Sequence, residues 1–210
     1  MPFENMIALF IVLLFSLCVH ECAHAWAADR CGDETAKLLG RMTLNPIAHI
    51  DPLGTIIMPL ILMVTGSPFL FGWAKPVPVD STRFRNYRRD DIFVSLAGIA
   101  SNMILALTAA LALRVIFIIG AFSPASPLVF ALKYLMFINV VLGVFNLVPI
   151  PPLDGSHVLF HYLPMEVANK FRSLQQYGYI LLIIFMMSGI LEKLLLPPMI
   201  LFQMIAGPLG

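Results

Sequence analysis

Charge is what this sequence holds least of. Lys and Arg number 13 and Asp and Glu 12 in 210 residues, so 12% of the chain is charged while 60% is hydrophobic. A soluble domain is about a quarter charged and about half apolar, so an ordinary water-facing globule is excluded. A formal net charge of +1 leaves no basic excess for nucleic acid, and no nucleic-acid partner is expected. Cysteine is scarce too. Cys18, Cys22 and Cys31 do not suggest a disulfide framework. On a helix Cys18 and Cys22 fall about 160° to 200° from His20, and they read as packing residues. The sequence shows no internal repeat, no low-complexity stretch and no basic run ahead of its first apolar segment. That segment is expected to be retained, not cleaved as a signal peptide.

What is there is apolar sequence in long runs. Met6–Ala28, Ile92–Gly120, Leu128–Val148 and Leu174–Ile190 read as spans, of the length, about 17–25 residues or more, that crosses a bilayer. Leu194–Ala206, broken by Pro197 and Pro198, either returns through the membrane or lies in its surface. Ser156–Arg172 is a mixed stretch that reads as a short interfacial helix. Between the first two spans, Thr43–Pro52 is punctuated by proline, and Leu53–Val64 is apolar but short. Ser67–Asp80 reads as a hairpin or extended loop, because glycine and prolines rule out a regular helix while aromatics and alternating valines suit strands.

His20, Glu21 and His24 form H-E-x-x-H inside the first span. Positions i and i+4 lie only about 40° apart around a helix, so His20 and His24 can hold one Zn²⁺ from one face. Glu21, about 100° from His20, can hold a water beside the metal as general base. A catalytic zinc takes three protein ligands and an open position, so another segment must supply the third.

Asp154 is the candidate. The second span leaves the face where the first one ends, and the third returns, so Asp154 arrives near the histidines. Residues 42–82 must then leave and return on one side, either as a re-entrant loop or as a helix with the 67–80 hairpin as its return leg. That face collects Arg30, Lys37, Arg41, Arg83, Arg85, Arg88, Arg89, Lys170 and Arg172, against Lys133 and Lys193 on the other. By the positive-inside rule it is cytoplasmic. The alternative reading is that Asp154 only caps the next helix; the presence of H-E-x-x-H favours the ligand.

With HECAH at 20–24 and NLVPIPPLDG at 146–155, the chain resembles the site-2 protease family of intramembrane zinc metalloproteases. GRMTLNPIAHIDPLGT at 40–55 and FGWAKPVPV at 71–79 resemble its compact bacterial branch, without PDZ or CBS domains. The resemblance spans roughly residues 19–158. It implies one zinc per chain on His20, His24 and Asp154, with Glu21 as base, and cleavage of a peptide bond in or near a transmembrane segment of another membrane protein. It implies that Asn146 helps hold the substrate. Phe71, Gly72 and Trp73 open a stretch that resembles a membrane-associated β element thought to pair with unwound substrate. The family often has G-P-x-x-N on the second span; here Gly98 is followed by Ile99, with Asn102 in place.

The expected fold class is an all-α polytopic membrane protein with about four to six transmembrane segments and a re-entrant loop or β-hairpin near the active site. A single domain is expected over residues 1–210, with the catalytic core in about 6–160 and further membrane segments in about 174–206. The expected location is the cell (inner) membrane, with the active site nearer the cytoplasmic face. Expected partners are a substrate's transmembrane segment and the lipid bilayer; a homo-oligomer or a regulatory membrane partner is compatible. Competing readings are a non-catalytic zinc-binding membrane protein and a membrane metalloprotease of the other H-E-x-x-H type, acting on soluble segments with a glutamate ligand; only Glu166 and Glu192 are available for that role, neither in a suitable motif. His157 and His161 also stand four apart; they read as facing a polar interface in preference to forming a second metal site. His49 and Asp51 read as support for their loop or as partners of the ligands.

Overall fold

The computed structural model describes residues 3–65, 72–120 and 122–208. The chain runs as α1 (Phe3–Cys31), α2 (Thr35–Leu38), a 3-10 turn (Pro46–His49), a π-helical turn (Pro52–Ile57), α3 (Met58–Val64), α4 (Tyr87–Ile119), α5 (Pro127–Leu147), α6 (Asp154–Phe160), α7 (Met165–Ser173), α8 (Gly178–Met187) and α9 (Ile190–Ala206). By length and composition α1, α4 and α5 can each cross a membrane. The protein is all-helical and polytopic.

The helix starts follow local chemistry. The Asn86 side chain accepts from Arg89 N–H to cap α4, and Ser126 caps α5 just ahead of Pro127. α4 is the central element, packed against α1, α5, α6 and α9. Its stripe of Ala106, Ala109, Ala110 and Leu113 recurs at helical spacing. The small side chains let Val129, Met136 and Val140 of α5 and Phe202 and Ala206 of α9 close on it. On its other side Ala27, Ala28 and Cys31 of α1 pack with Phe84 and Val94. α4 continues as helix through Ile99, which is buried where the family pattern often has proline.

The C-terminal segments depart from the sequence reading. The apolar run from Leu174 is a 3-10 turn followed by α8, ten residues long. At about 1.5 Å per residue that is too short for a hydrocarbon core of about 30 Å. Gly189, at φ 70, breaks the chain, so α7–α8 and α9 together qualify only as a pair bent by 67°. α9 runs unbroken through Pro197 and Pro198. The lost backbone hydrogen bonds are offset by packing of its later half, through Phe202 and Ala206, against α4 and α5.

Pro52–Leu62 is apolar but too short to span. No strand occurs among the described residues, and residues 72–80 run extended without a ladder. Pro76 and Pro78 have no N–H to give to one. The first leg of the expected hairpin, residues 66–71 with Phe71, lies outside the described residues.

Candidate metal centre

His20 and His24 face inward from the last third of α1, buried, with their Nε2 atoms 3.0 Å apart. Asp154 is the first residue of α6, and its Oδ2 lies 3.3 Å from each Nε2. Two close approaches place these groups. A Cβ on Gly98 of α4 would come within 2.5 Å of His24 Nε2, so α4 passes directly against the imidazoles. A Cβ on Gly155 would come within 2.2 Å of the Leu147 carbonyl, so only glycine lets the start of α6 close on the end of α5 and aim Asp154 inward.

The hydrogen bonds fix what the cluster offers. His24 Nδ1 donates to the Val94 carbonyl at 2.8 Å, which leaves a lone pair on Nε2. His20 Nδ1 meets Asn102 Oδ1 at 2.6 Å. Asn102 Nδ2 donates to Asn139 Oδ1 at 2.7 Å, and Asn139 Nδ2 donates to Ser16 Oγ and to the Leu135 carbonyl, both at 2.8 Å. Ser16 Oγ in turn donates to the Val12 carbonyl. The two carbonyls can only accept, so the direction of the whole chain is set from its far end. Asn139 must present oxygen to Asn102, and Asn102 must present oxygen to His20. His20 therefore donates through Nδ1 and also carries its lone pair on Nε2.

Asp154 Oδ2 is buried and has no hydrogen-bond donor. Asp154 does not cap α6 from outside, since the cap position is Leu153. Three acceptors thus converge with no proton assigned to any of them. Two of their separations, 3.3 Å each, match the edges, about 3.3–3.4 Å, of a zinc tetrahedron with bonds of about 2.0–2.1 Å, and the third, 3.0 Å, is slightly shorter. Two imidazoles and one carboxylate suit zinc chemically. Among the described residues this is the one group of His, Cys, Asp or Glu so arranged.

Comparisons with known proteins place the chain in a family. The description of peptidase family M50 matches residues 114–189, a range that holds Asp154. YwhC of Bacillus subtilis (strain 168), named provisionally as a zinc metalloprotease, is 38% identical over 201 residues, covering 93% of this chain and 87% of YwhC. The chain belongs to peptidase family M50. It is a zinc metalloprotease of the site-2 type, with Zn²⁺ as its cofactor. Rip2 of Mycolicibacterium smegmatis, named in the same provisional way, is 30% identical over 182 residues, 86% of this chain and 66% of Rip2. Protease RseP of Photorhabdus luminescens is 49% identical over 41 residues, 20% of this chain. No solved structure matches the chain at a significant level.

The other residues singled out from the sequence are placed as follows. Glu21, half-buried beside His20, accepts the Val77 N–H on Oε2 at 2.7 Å. Asn146 turns back along its own helix, donating to the Leu142 carbonyl at 3.0 Å. Gly72 is buried against Gly54 and Pro59, and the indole of Trp73 lies on Gly54. His49 is buried with Nε2 on the Thr43 carbonyl, and Asp51 accepts from Leu53 and Gly54 N–H, so both support their loop. Sequence reasoning passed over Asn139, Ser16 and Val77. Asn139 carries a signal, being an amide in the middle of an apolar run where an unpartnered polar group is costly, and Ser16 stands one helical turn before His20.

Proposed function

We propose that this M50 protease hydrolyses a peptide bond in or near a transmembrane segment of another membrane protein, with zinc held by His20, His24 and Asp154. The observation that carries this reading is the convergence of three acceptor atoms, two on the spanning helix α1 and one at the start of the short helix α6, against the spanning helix α4. Zinc there supplies Lewis acidity, polarising a scissile carbonyl and making a neighbouring water easier to deprotonate. Glu21 acts as general base: its carboxylate takes the proton of the attacking water and returns it to the leaving amine. The Val77 N–H that now satisfies Glu21 Oε2 yields when substrate enters. Asn102 and Val94 hold the two imidazoles in the tautomer that keeps Nε2 free.

A helical substrate hides its carbonyls in its own hydrogen bonds and must unwind first. Residues 72–80 are the receiving edge in this reading. On that segment the N–H groups of Trp73, Lys75 and Val77 are bonded to Gly54, His49 and Glu21. The segment's other edge lacks an N–H at Pro76 and Pro78, so an extended substrate would bond there chiefly by giving its own N–H groups to backbone carbonyls, with Gly72 and Trp73 bordering its path and Asn146 released toward it. The protein works in the cell membrane as one domain over residues 1–210, with its catalytic core in about 6–160, and the site lies nearer the cytoplasmic face.

The deciding experiment reconstitutes purified protein in liposomes with a single-span substrate and measures cleavage and bound zinc together. Glu21→Gln should cut turnover by about 10³-fold with zinc retained. Retained cleavage would sink the base assignment. Zinc binding by the wild type without turnover of any membrane-embedded segment would favour a non-catalytic protein, and cleavage of soluble segments alone would favour the other H-E-x-x-H type.

A further inference from the structure

Where α1 ends and α4 begins, a cleft of about 520 Å³ opens between Arg30 and Cys31 of α1, Arg85 and Asn86 of the loop, and Arg89 and Phe93 of α4. Its cations differ from those nearby. Lys37 pairs with Asp29 at 3.0 Å and Arg83 with Asp80 at 3.1 Å, while Arg41 donates to the carbonyls of Lys75 and Pro76. Among the described residues Arg30, Arg85 and Arg89 have no carboxylate oxygen within 4.0 Å. The acidic group in the cleft wall, Asp90, is buried and its Oδ2 accepts the Asn86 N–H at 2.8 Å. Three guanidiniums against one buried carboxylate leave the cleft net positive, and its walls focus that potential.

The backbone that presents them is pinned. Arg85 N–H donates to the Cys31 carbonyl at 3.1 Å. Gly32, at φ +109, lets the loop pass so close that a Cβ would stand 3.1 Å from the Arg83 carbonyl. The Asn86 side chain caps α4 through Arg89 N–H. Beside the guanidiniums the surface turns apolar. Trp26 and Phe93 have ring centroids 6.4 Å apart and are 47% and 45% exposed, and the Arg30 guanidinium lies 5.2 Å over the indole. α1 and α4 both have spanning length, and exposed aromatics beside arginines at the end of a span suit the boundary between lipid chains and headgroups.

The geometry points to a binding site for the phosphate of an anionic phospholipid in this cleft, held by Arg30, Arg85 and Arg89, with the acyl chains along Trp26 and Phe93. Guanidinium binds phosphate oxygens in bidentate fashion, and basic pockets between membrane helices take anionic headgroups. The bound lipid bridges the two helices that carry His20, His24 and Gly98. The site rests on the fold and charge pattern, independently of what the protease cleaves.

Trp26 and Trp73 are the chain's two tryptophans, so Trp73→Phe isolates the Trp26 fluorescence. That full-length protein, in phosphatidylcholine nanodiscs, is titrated with phosphatidylglycerol brominated on its acyl chains. Quenching should set in at a mole fraction about a hundredfold lower than with brominated phosphatidylcholine, the gain expected of three arginines at about fivefold each. Arg30→Ala, Arg85→Ala and Arg89→Ala together should erase the preference, lysine at the three positions should keep most of it, and millimolar inorganic phosphate should leave the lipid in place. Equal quenching by the two lipids overturns the proposal, and that comparison stands even if the triple alanine variant fails to fold. A preference that survives the alanines overturns the assignment to these residues. Displacement by inorganic phosphate would make this a site for free phosphate and overturn the lipid.

Discussion

His20 with His24, and His157 with His161, are both pairs four residues apart, and each pair meets an aspartate from another helix. At the first pair Asp154 Oδ2 stands 3.3 Å from both Nε2 atoms. At the second, His161 Nε2 lies 2.6 Å from Asp91 Oδ2, while His157 Nδ1 is 4.0 Å away and half-exposed. The difference lies in the far nitrogens and in the helix. Both imidazoles of α1 spend Nδ1 as a donor, to Asn102 and to Val94, so both are left with lone pairs that face a carboxylate and no proton between them. His161 instead meets its aspartate with the nitrogen that can carry the proton, and the pair closes as an ordinary hydrogen bond. α6 ends at Phe160 and His161 is its cap residue, so the second pair straddles a helix end while the first lies inside α1. Spacing nominates a metal pair, and the partner of the second ring nitrogen decides it.

The comparison breaks most sharply at Asp154. Asp154→Ala should take bound zinc from about one per chain to a small fraction, measured by metal analysis of detergent-purified protein. Full retention would remove Asp154 from the ligand set. Gly98→Ala comes next: its methyl would stand 2.5 Å from His24 Nε2, and with both backbones packed it should lower zinc affinity by at least about tenfold. Asn102→Leu deprives His20 of its acceptor and should weaken zinc by about 10- to 100-fold in a chelator competition, with the helical circular dichroism unchanged.

Asn139→Leu sharpens the contrast further, because it touches neither the metal ligands nor substrate. It leaves Asn102 free to turn its amide, so zinc affinity should fall by less than in Asn102→Leu, about severalfold. An unchanged affinity would show that Asn102 needs no directing partner. The smallest effect is expected at the second pair. His157→Ala with His161→Ala should leave zinc stoichiometry as in the wild type, and a fall by half or more would make that pair a metal site after all.

Local sequence carries much of this protein. Apolar runs of bilayer length mark α1, α4 and α5, because spanning requires about 20 residues of helix whatever their neighbours. Helix periodicity alone puts His20 and His24 on one face. The C-terminal third was less legible, since Gly189 turns an apolar run by 67° and α9 continues through two prolines, and both outcomes depend on what the segments pack against. The 67–80 stretch reads as β by composition, yet residues 72–80 form no ladder among the described residues. Their N–H groups are taken singly by Gly54, His49 and Glu21.

Sequence by itself therefore determined the membrane class, the main helices and the two histidines, because hydrophobic length and a period of about 3.6 residues are local properties. Only the tertiary structure decided the rest. The 3.3 Å approach of Asp154, the passage of Gly98 against the imidazoles and the hydrogen-bond chain from Val12 through Ser16, Asn139 and Asn102 to His20 bring together residues from four helices far apart in the sequence. Their geometry is set by how closely α1, α4, α5 and α6 pack, which no local period encodes.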